Sequence, residues 1–467
     1  MTSTLPTRSK RVVLLIGLLT LASPFALAQD DRLKHLRDDF AMRFLEPEPH
    51  MALAKYYLDH GDRLMAFNTL EAARRSRFEE LVFNQAFQLT FRGFDYSPAA
   101  ENTLLKEFSV HPQSEDVIFK LADIYIARPD WAKAKQYLQA GIKIRPDDFK
   151  FTGGLAEVLR IEGNKPAADS VIKDFISHYP ESEEALTMKV EELIETDPAR
   201  AKLLAVDART KFPRSGVVAF DLGRIFHREG NLSEAEQLFV TAAELSPNSS
   251  AIQAWTGRFF FKVRSNKPRA LDYYLNAYFL DPHTYETEYV ESRIRNLSDE
   301  LARAEVEKQT NDGTPLEKLL GDSNPVVVVV ALGQMSEQWK PAYLPAVLKC
   351  LDHDDGDVRW MATGVIRKNA DSTFDPKLKA LLTDNDLRKR GLAAYLAVHR
   401  WKRASFPVIR VMLTHESELV RFDAVSALIM EGGEEGRRIA FAHAARERNS
   451  NLKKLIEKSK EEKSDQP

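Results

Sequence analysis

Cysteine occurs once in this sequence, at Cys350. One cysteine excludes a disulfide framework, a four-cysteine zinc site and a CxxCH haem attachment. Catalytic signatures are missing as well: there is no HExxH, no GxSxG and no phosphate-cradling glycine loop, and the eleven histidines are scattered. These absences read as a non-enzyme with no catalytic residues, no cofactor and no metal. A surplus of one charge is also lacking. The chain has 66 Lys and Arg against 69 Asp and Glu, a formal net charge of −3, which argues against nucleic acid as the main ligand. Beyond the first thirty residues no stretch is long and apolar enough to span a bilayer, so the mature chain is expected to carry no transmembrane segment.

An apolar content of 44% with 29% charged residues fits a folded, soluble protein. The first thirty residues have the layout of a secretory leader. Arg8, Lys10 and Arg11 precede the apolar run from Val12 to Ala22, Pro24 interrupts it, and Ala26-Leu27-Ala28 offers a small-x-small cleavage site before Gln29. An uncleaved anchor is the competing reading, but the seventeen residues from Val12 to Ala28 fall short of the ~20 a spanning helix prefers. The leader resembles those of Gram-negative bacteria, which implies secretion across the inner membrane and a periplasmic location. Cleavage would remove three cations and take the net charge from −3 to −6 over the remaining 439 residues. That length exceeds one compact core and fits roughly three domains, unless a repeat replaces them.

A repeat is present. Ala66, Ala100, Ala134, Ala168, Ala201, Ala235 and Ala270 are separated by 33 to 35 residues, and a proline follows each of the last six by twelve. Small residues at Ala54, Ala122, Ala156, Gly223 and Gly257 would let two helix backbones approach closely within each unit. Bulky Leu70, Leu104, Leu138, Ile172, Phe239 and Tyr274 would fill the layers between units. One such pair cannot bury its own apolar faces, so stacking is required. The spacing and residue types resemble tetratricopeptide (TPR) repeats, best between Gly216 and Ser249. The pattern weakens at Phe78, which stands where proline is expected, at Gln88 in a small position, and at Lys189 and Val190; distortion is expected in those units.

From Gly313 a second rhythm begins. Leu320, Leu351, Leu382 and Leu413 repeat every 31 residues, accompanied by Ala331, Ala362, Ala393 and Ala424 and by Arg359, Arg390 and Arg421. The turns Asp322-Ser323-Asn324, Asp354-Asp355-Gly356, Thr383-Asp384-Asn385 and Thr414-His415-Glu416 should cap the helices that follow. Val326 to Val330 has a strand's composition, but the register makes it helical. This region resembles HEAT repeats. The expected fold is therefore an all-α solenoid of about seven TPR helix pairs followed by about four HEAT-like pairs. Its divisions are a signal peptide 1–28, a helical lead-in 29–46, a TPR array 47–284, a helical connector 285–312, a HEAT-like domain 313–450 and a charged tail 451–467 expected to fray. The arginine series reads as structural, tying each repeat to a neighbour, with an anion site as the alternative. The run Asp352 to Asp357 departs from calcium-loop spacing and reads as a capping turn. Basic residues from Arg437 to Lys460 read as a solvated face, with an anionic membrane surface as the alternative. Cys350 should be buried and inert.

The resemblance to TPR arrays implies a groove lined by the first helix of each pair. Residue by residue it puts Asp123, Glu157, Glu191 and Glu195 in the middle of that groove. At the C-terminal end it puts Phe220, Arg224, His227, Arg228, Arg258, Phe261 and Lys262, a basic and aromatic set suited to an acidic or C-terminal segment of a protein partner. Ordinary solvated charges are the plainer reading of the same residues. The functional expectation is a non-catalytic interaction scaffold in an envelope or secretion complex. The alternatives are a chaperone-like carrier and an auxiliary factor or enzyme acting on an envelope polymer. Oligomeric state has no signature in the sequence.

Overall fold

A computed structural model describes residues 24–75, 80–282 and 287–464. The leader up to Ser23 and Phe78 lie outside the described residues. Helices account for nearly all of the rest, and no strand occurs among them. A lead-in helix α1 (Pro24–Met42) is followed by the hairpin α2 (Pro47–Asp59) and α3 (Arg63–Arg75), then α4 (Glu80–Phe87) and α5 (Pro98–Val110). Five regular pairs follow: α6 (Glu115–Ala127) with α7 (Trp131–Ile144), α8 (Phe149–Ile161) with α9 (Lys165–His178), α10 (Glu183–Thr196) with α11 (Pro198–Lys211), α12 (Gly216–Arg228) with α13 (Leu232–Leu245), and α14 (Ser250–Lys262) with α15 (Lys267–Leu280).

The punctuation of these helices follows from side-chain chemistry. Ser97, Asp130, Asp148, Asn164, Ser182, Asp197, Ser215, Ser249 and Asn266 each accept a hydrogen bond from a backbone N–H of the first turn. Such a cap stabilises a helix by about 1 kcal/mol. Six of the seven stepping alanines are fully buried, and Ala100 is half-buried. At Gly223 a Cβ would stand 3.2 Å from Leu238 and Phe239, and at Gly257 it would stand 3.0 Å from Tyr274. Those glycines set the closeness of the helix pairs. Gln88 is where α4 widens into a π-helical turn, Gln88–Arg92, closed by Gly93 at φ 70. The distortion expected there is present, whereas Val190 is buried inside a regular α10.

A single long helix, α16 (Thr287–Asn311), packs on α15 at one end and on α18 (Pro325–Glu337) at the other, past the short α17 (Leu316–Leu319). The valine run Val326–Val330 lies inside α18, as the register requires. Then come α19 (Leu344–Lys349), α20 (Gly356–Asn369), α21 (Asp375–Leu381), α22 (Leu387–Trp401), α23 (Phe406–Met412), α24 (Glu418–Glu431), α25 (Gly433–His443) and α26 (Ser450–Ser464). Asn324 and Asp355 cap α18 and α20 as expected. In the next two turns the caps are Asp386 and Ser417, one residue beyond the triplets read from sequence.

Two features depart from the expectation. The segment after Asn451 is not a fraying helix up to Lys460: Leu452 and Ile456 of α26 are buried in the second array's core. The chain is also more than a row of units touching only their neighbours. The first hairpin lies against the far end of the repeats. Phe67 of α3 meets Tyr278 of α15 edge-on at 4.8 Å, Arg74 pairs with Glu291 of α16 at 2.6 Å, and Asn68 donates to Asp355 at 2.7 Å. At the end of α1, Ser417 donates to the Ala41 carbonyl at 2.6 Å, and Phe44 packs on Phe422. One apolar cluster accordingly joins Met51, Phe67 and Phe87 to Tyr274, Tyr278 and Ile294.

Candidate functional site

Among the first helices of successive pairs, α10 touches α12 directly, and α12 meets α14 through the rings of Phe220 and Trp255. This is the face on which the sequence places the candidate binding residues. On α12, Phe220 is half-buried, 5.7 Å from Phe239 and 6.1 Å from Trp255 of α14. Arg224 lies 5.8 Å over the Phe220 ring and is paired with Glu191 at 2.9 Å and Asp221 at 3.5 Å. Arg228 pairs with Glu195. His227 is exposed and set edge-on to Phe259 at 5.6 Å. On α14, Arg258 is exposed with its guanidinium 4.9 Å over Trp255. Lys262 is exposed in the last turn. Neither Arg258 nor Lys262 has a carboxylate partner among the described residues.

The structure thus brings Phe220, Arg224, His227, Arg228 and Arg258 onto adjoining faces of α12 and α14. Phe261 is used otherwise. It packs against the cluster shared with the first hairpin and lies under Arg293 of α16 at 4.9 Å. The acidic centre and basic end read from sequence also interlock, because Glu191 and Glu195 are the partners of Arg224 and Arg228. Such exposed pairs contribute little to stability, but they offset the charge of two of the four cations. Arg258 and Lys262 carry what is left.

Two residues of this face escaped the sequence reading. Trp255 sits one helical turn before Arg258, a spacing that puts both on one side of α14. Asp221 is 3% exposed and its Oδ2 has no hydrogen-bond partner. Burial and the neighbouring Glu191 push its carboxyl up to about 7, with Arg224 acting against them. A similar burial effect raises Asp123 of α6 to about 6, opposed by Arg92.

In the second array the arginines contact the turn that precedes their own helix. Arg359 donates to the carbonyls of His353 and Asp354, Arg390 to those of Asp384 and Thr383, and Arg421 to those of His415 and Glu416. Their role is structural, but the tie is to the repeat's own turn and not chiefly to a neighbour. The run from Asp352 to Asp357 caps α20 through Asp355, pairs with Arg37 of α1 through Asp354 and receives the first hairpin through Asp355. Cys350 is buried and free, and burial raises its thiol to about 11. Among the described residues no group of three or more His, Cys, Asp or Glu is placed to hold a metal ion, and no helix is long and apolar enough to cross a membrane.

No family model matches the chain, and no curated protein matches it. Solved structures similar to it include Pseudomonas aeruginosa pilF, 18% identical, covering 48% of this chain and 91% of that one at a TM-score of 0.30. Human IFIT1, solved as a dimer with m7Gppp-AAAA, is 14% identical over 89% of this chain and 97% of that one, at 0.31. YrrB, described as a TPR protein with an unusual peptide-binding site, is 15% identical over 40% and 97%, at 0.22. Nothing about ligand, partner or activity follows for this chain from likenesses of that size.

Proposed function

We propose that this protein is a non-catalytic interaction scaffold of the periplasm, delivered by its first 28 residues. In this reading the TPR-like array over 47–284 grips an acidic or C-terminal segment of a partner protein. The HEAT-like region over 313–450 fixes the array's position, and the whole serves assembly of an envelope or secretion complex. One observation carries the binding site: Arg258 is stacked on Trp255 next to Lys262, with no counter-charge, while the other cations of the face are already paired. Arginine on an aromatic face presents a rigid fork for a carboxylate at low entropic cost.

The test is affinity purification of the intact protein from the envelope of its native cell, comparing wild type with Arg258→Glu/Lys262→Glu. The wild type should retain one major protein in a salt-sensitive manner, and the double variant should lose it at least tenfold. The exposed control Lys106→Glu should retain it. Equal recovery by the double variant would remove this face from consideration. Periplasmic fractionation, with an N-terminus read at Gln29, tests the leader separately.

A further inference from the structure

The basic stretch near the C-terminus, which reads in sequence as a solvated helix face, is drawn together by the fold. Between α23, α24 and α25 lies a cleft of about 590 Å³, bordered by Arg410, Arg438, Arg446 and Arg448. All four are exposed, and they come from separate turns of the chain. Leu413 and Ile439 give the cleft an apolar part. Its volume falls in the range of ligand sites.

The carboxylates of this cleft are committed elsewhere. Glu447, whose side chain is fully buried, is held by Arg421 through both oxygens, by His443 at 2.9 Å and by the Asn449 backbone N–H at 2.8 Å. Arg421, itself buried, spends its remaining donors on the two turn carbonyls. Glu435 pairs with Arg403. None of the four border arginines has an ion pair or side-chain hydrogen bond among the described residues. Several arginines elsewhere are paired across repeats, as Arg145 with Glu115 and Arg367 with Glu431. Four exposed guanidiniums without a counter-charge around one cleft concentrate positive potential there, which draws in an anion.

We propose that this cleft binds a ligand carrying at least two phosphate groups. Guanidinium matches phosphate through paired N–H donors, and a monovalent anion would leave most of the cluster uncompensated. The phosphates can belong to a soluble molecule or to a lipid headgroup. The site is separate from the α12–α14 face and does not depend on it.

The test uses the full mature chain with two probes: inorganic pyrophosphate by calorimetry, and phosphatidylcholine vesicles with and without cardiolipin by co-sedimentation. Pyrophosphate should bind saturably with a Kd below about 1 mM. Arg438→Ala/Arg446→Ala should weaken it at least tenfold, whereas Lys106→Ala should not. Binding to cardiolipin vesicles that pyrophosphate displaces, with the same dependence on the two arginines, assigns the source to a lipid. Pyrophosphate binding without vesicle binding assigns it to a soluble molecule. No binding of either probe, or equal binding by wild type and variant, overturns the proposal. Both arginines are exposed, so the variant should melt with the wild type; if it does not, Arg448→Gln replaces it in the same comparison.

Discussion

The hydroxyl of Tyr278 donates a 2.8 Å hydrogen bond to Glu71, fastening the second helix of the chain's first hairpin to the last helix of its regular pairs, 207 residues away. Glu71 is 2% exposed and also accepts from Arg74 and Arg295. Burial alone would raise its carboxyl, but these partners and Glu291 hold it below its ordinary value. One carboxylate therefore joins α3, α15 and α16.

Removing that carboxylate should loosen the whole junction. Glu71→Ala leaves the buried Tyr278 hydroxyl without its acceptor and Arg74 and Arg295 with Glu291 alone, and should cost about 2 kcal/mol. Tyr278→Phe removes one donor from a carboxylate with other partners and should cost about 1 kcal/mol. Urea unfolding followed by tryptophan fluorescence checks both. Equal, negligible losses would show that the hairpin is not docked on α15.

How much of this was legible in the sequence depends on the distance between the residues concerned. The alanine steps and prolines mark helix pairs because each acts within its own unit. Val326–Val330 could be assigned to a helix only through the 31-residue register. The ion pairs of Glu191 with Arg224 and of Glu195 with Arg228 span 33 residues each, one repeat, so that interlock was open to the same reasoning. The docking of Asn68 on Asp355 spans 287 residues and was not. It depends on small rotations summed over every intervening pair, and no local spacing records that sum. The arginine cleft was hidden for the same reason: Arg410 and Arg448 meet only after α24 and α25 have turned back.

Cys350 should be chemically silent in the native protein. It is 4% exposed and its thiol is raised to about 11 by burial, so almost no thiolate is present at neutral pH. An aromatic disulfide reagent should titrate no thiol in buffer and one per chain in denaturant. Rapid native reaction would mean that the turn after α19 opens readily.

Two helical glycines should respond to alanine with opposite signs. A Cβ at Gly141 of α7 would overlap the ring of Phe151, itself fully buried. Gly141→Ala forces that ring to move and should cost about 1–3 kcal/mol. A Cβ at Gly333 of α18 meets nothing within 4 Å. Gly333→Ala should stabilise by about 0.5–1 kcal/mol, because a helix interior penalises glycine's freedom. Thermal melts of the two variants beside the wild type read the contrast directly.

The last prediction concerns pH. Asp423 of α24 is buried where a Cβ at Gly391 of α22 would otherwise stand, near Arg359 and Tyr395. Burial pushes its carboxyl from an ordinary 3.8 up to about 8, with Arg359 acting in the other direction. The folded state therefore holds a proton that the unfolded chain releases near pH 4. Its contribution to stability is fully present below that pH and is lost as pH rises through about 8, with a slope approaching about 1.4 kcal/mol per pH unit between them. Asp423→Asn keeps the shape and removes the titration. The difference in unfolding free energy between wild type and variant should shift in favour of the variant from pH 5 to pH 8. A difference independent of pH would show that Asp423 is ionised in the fold, with Arg359 outweighing the cost of burial.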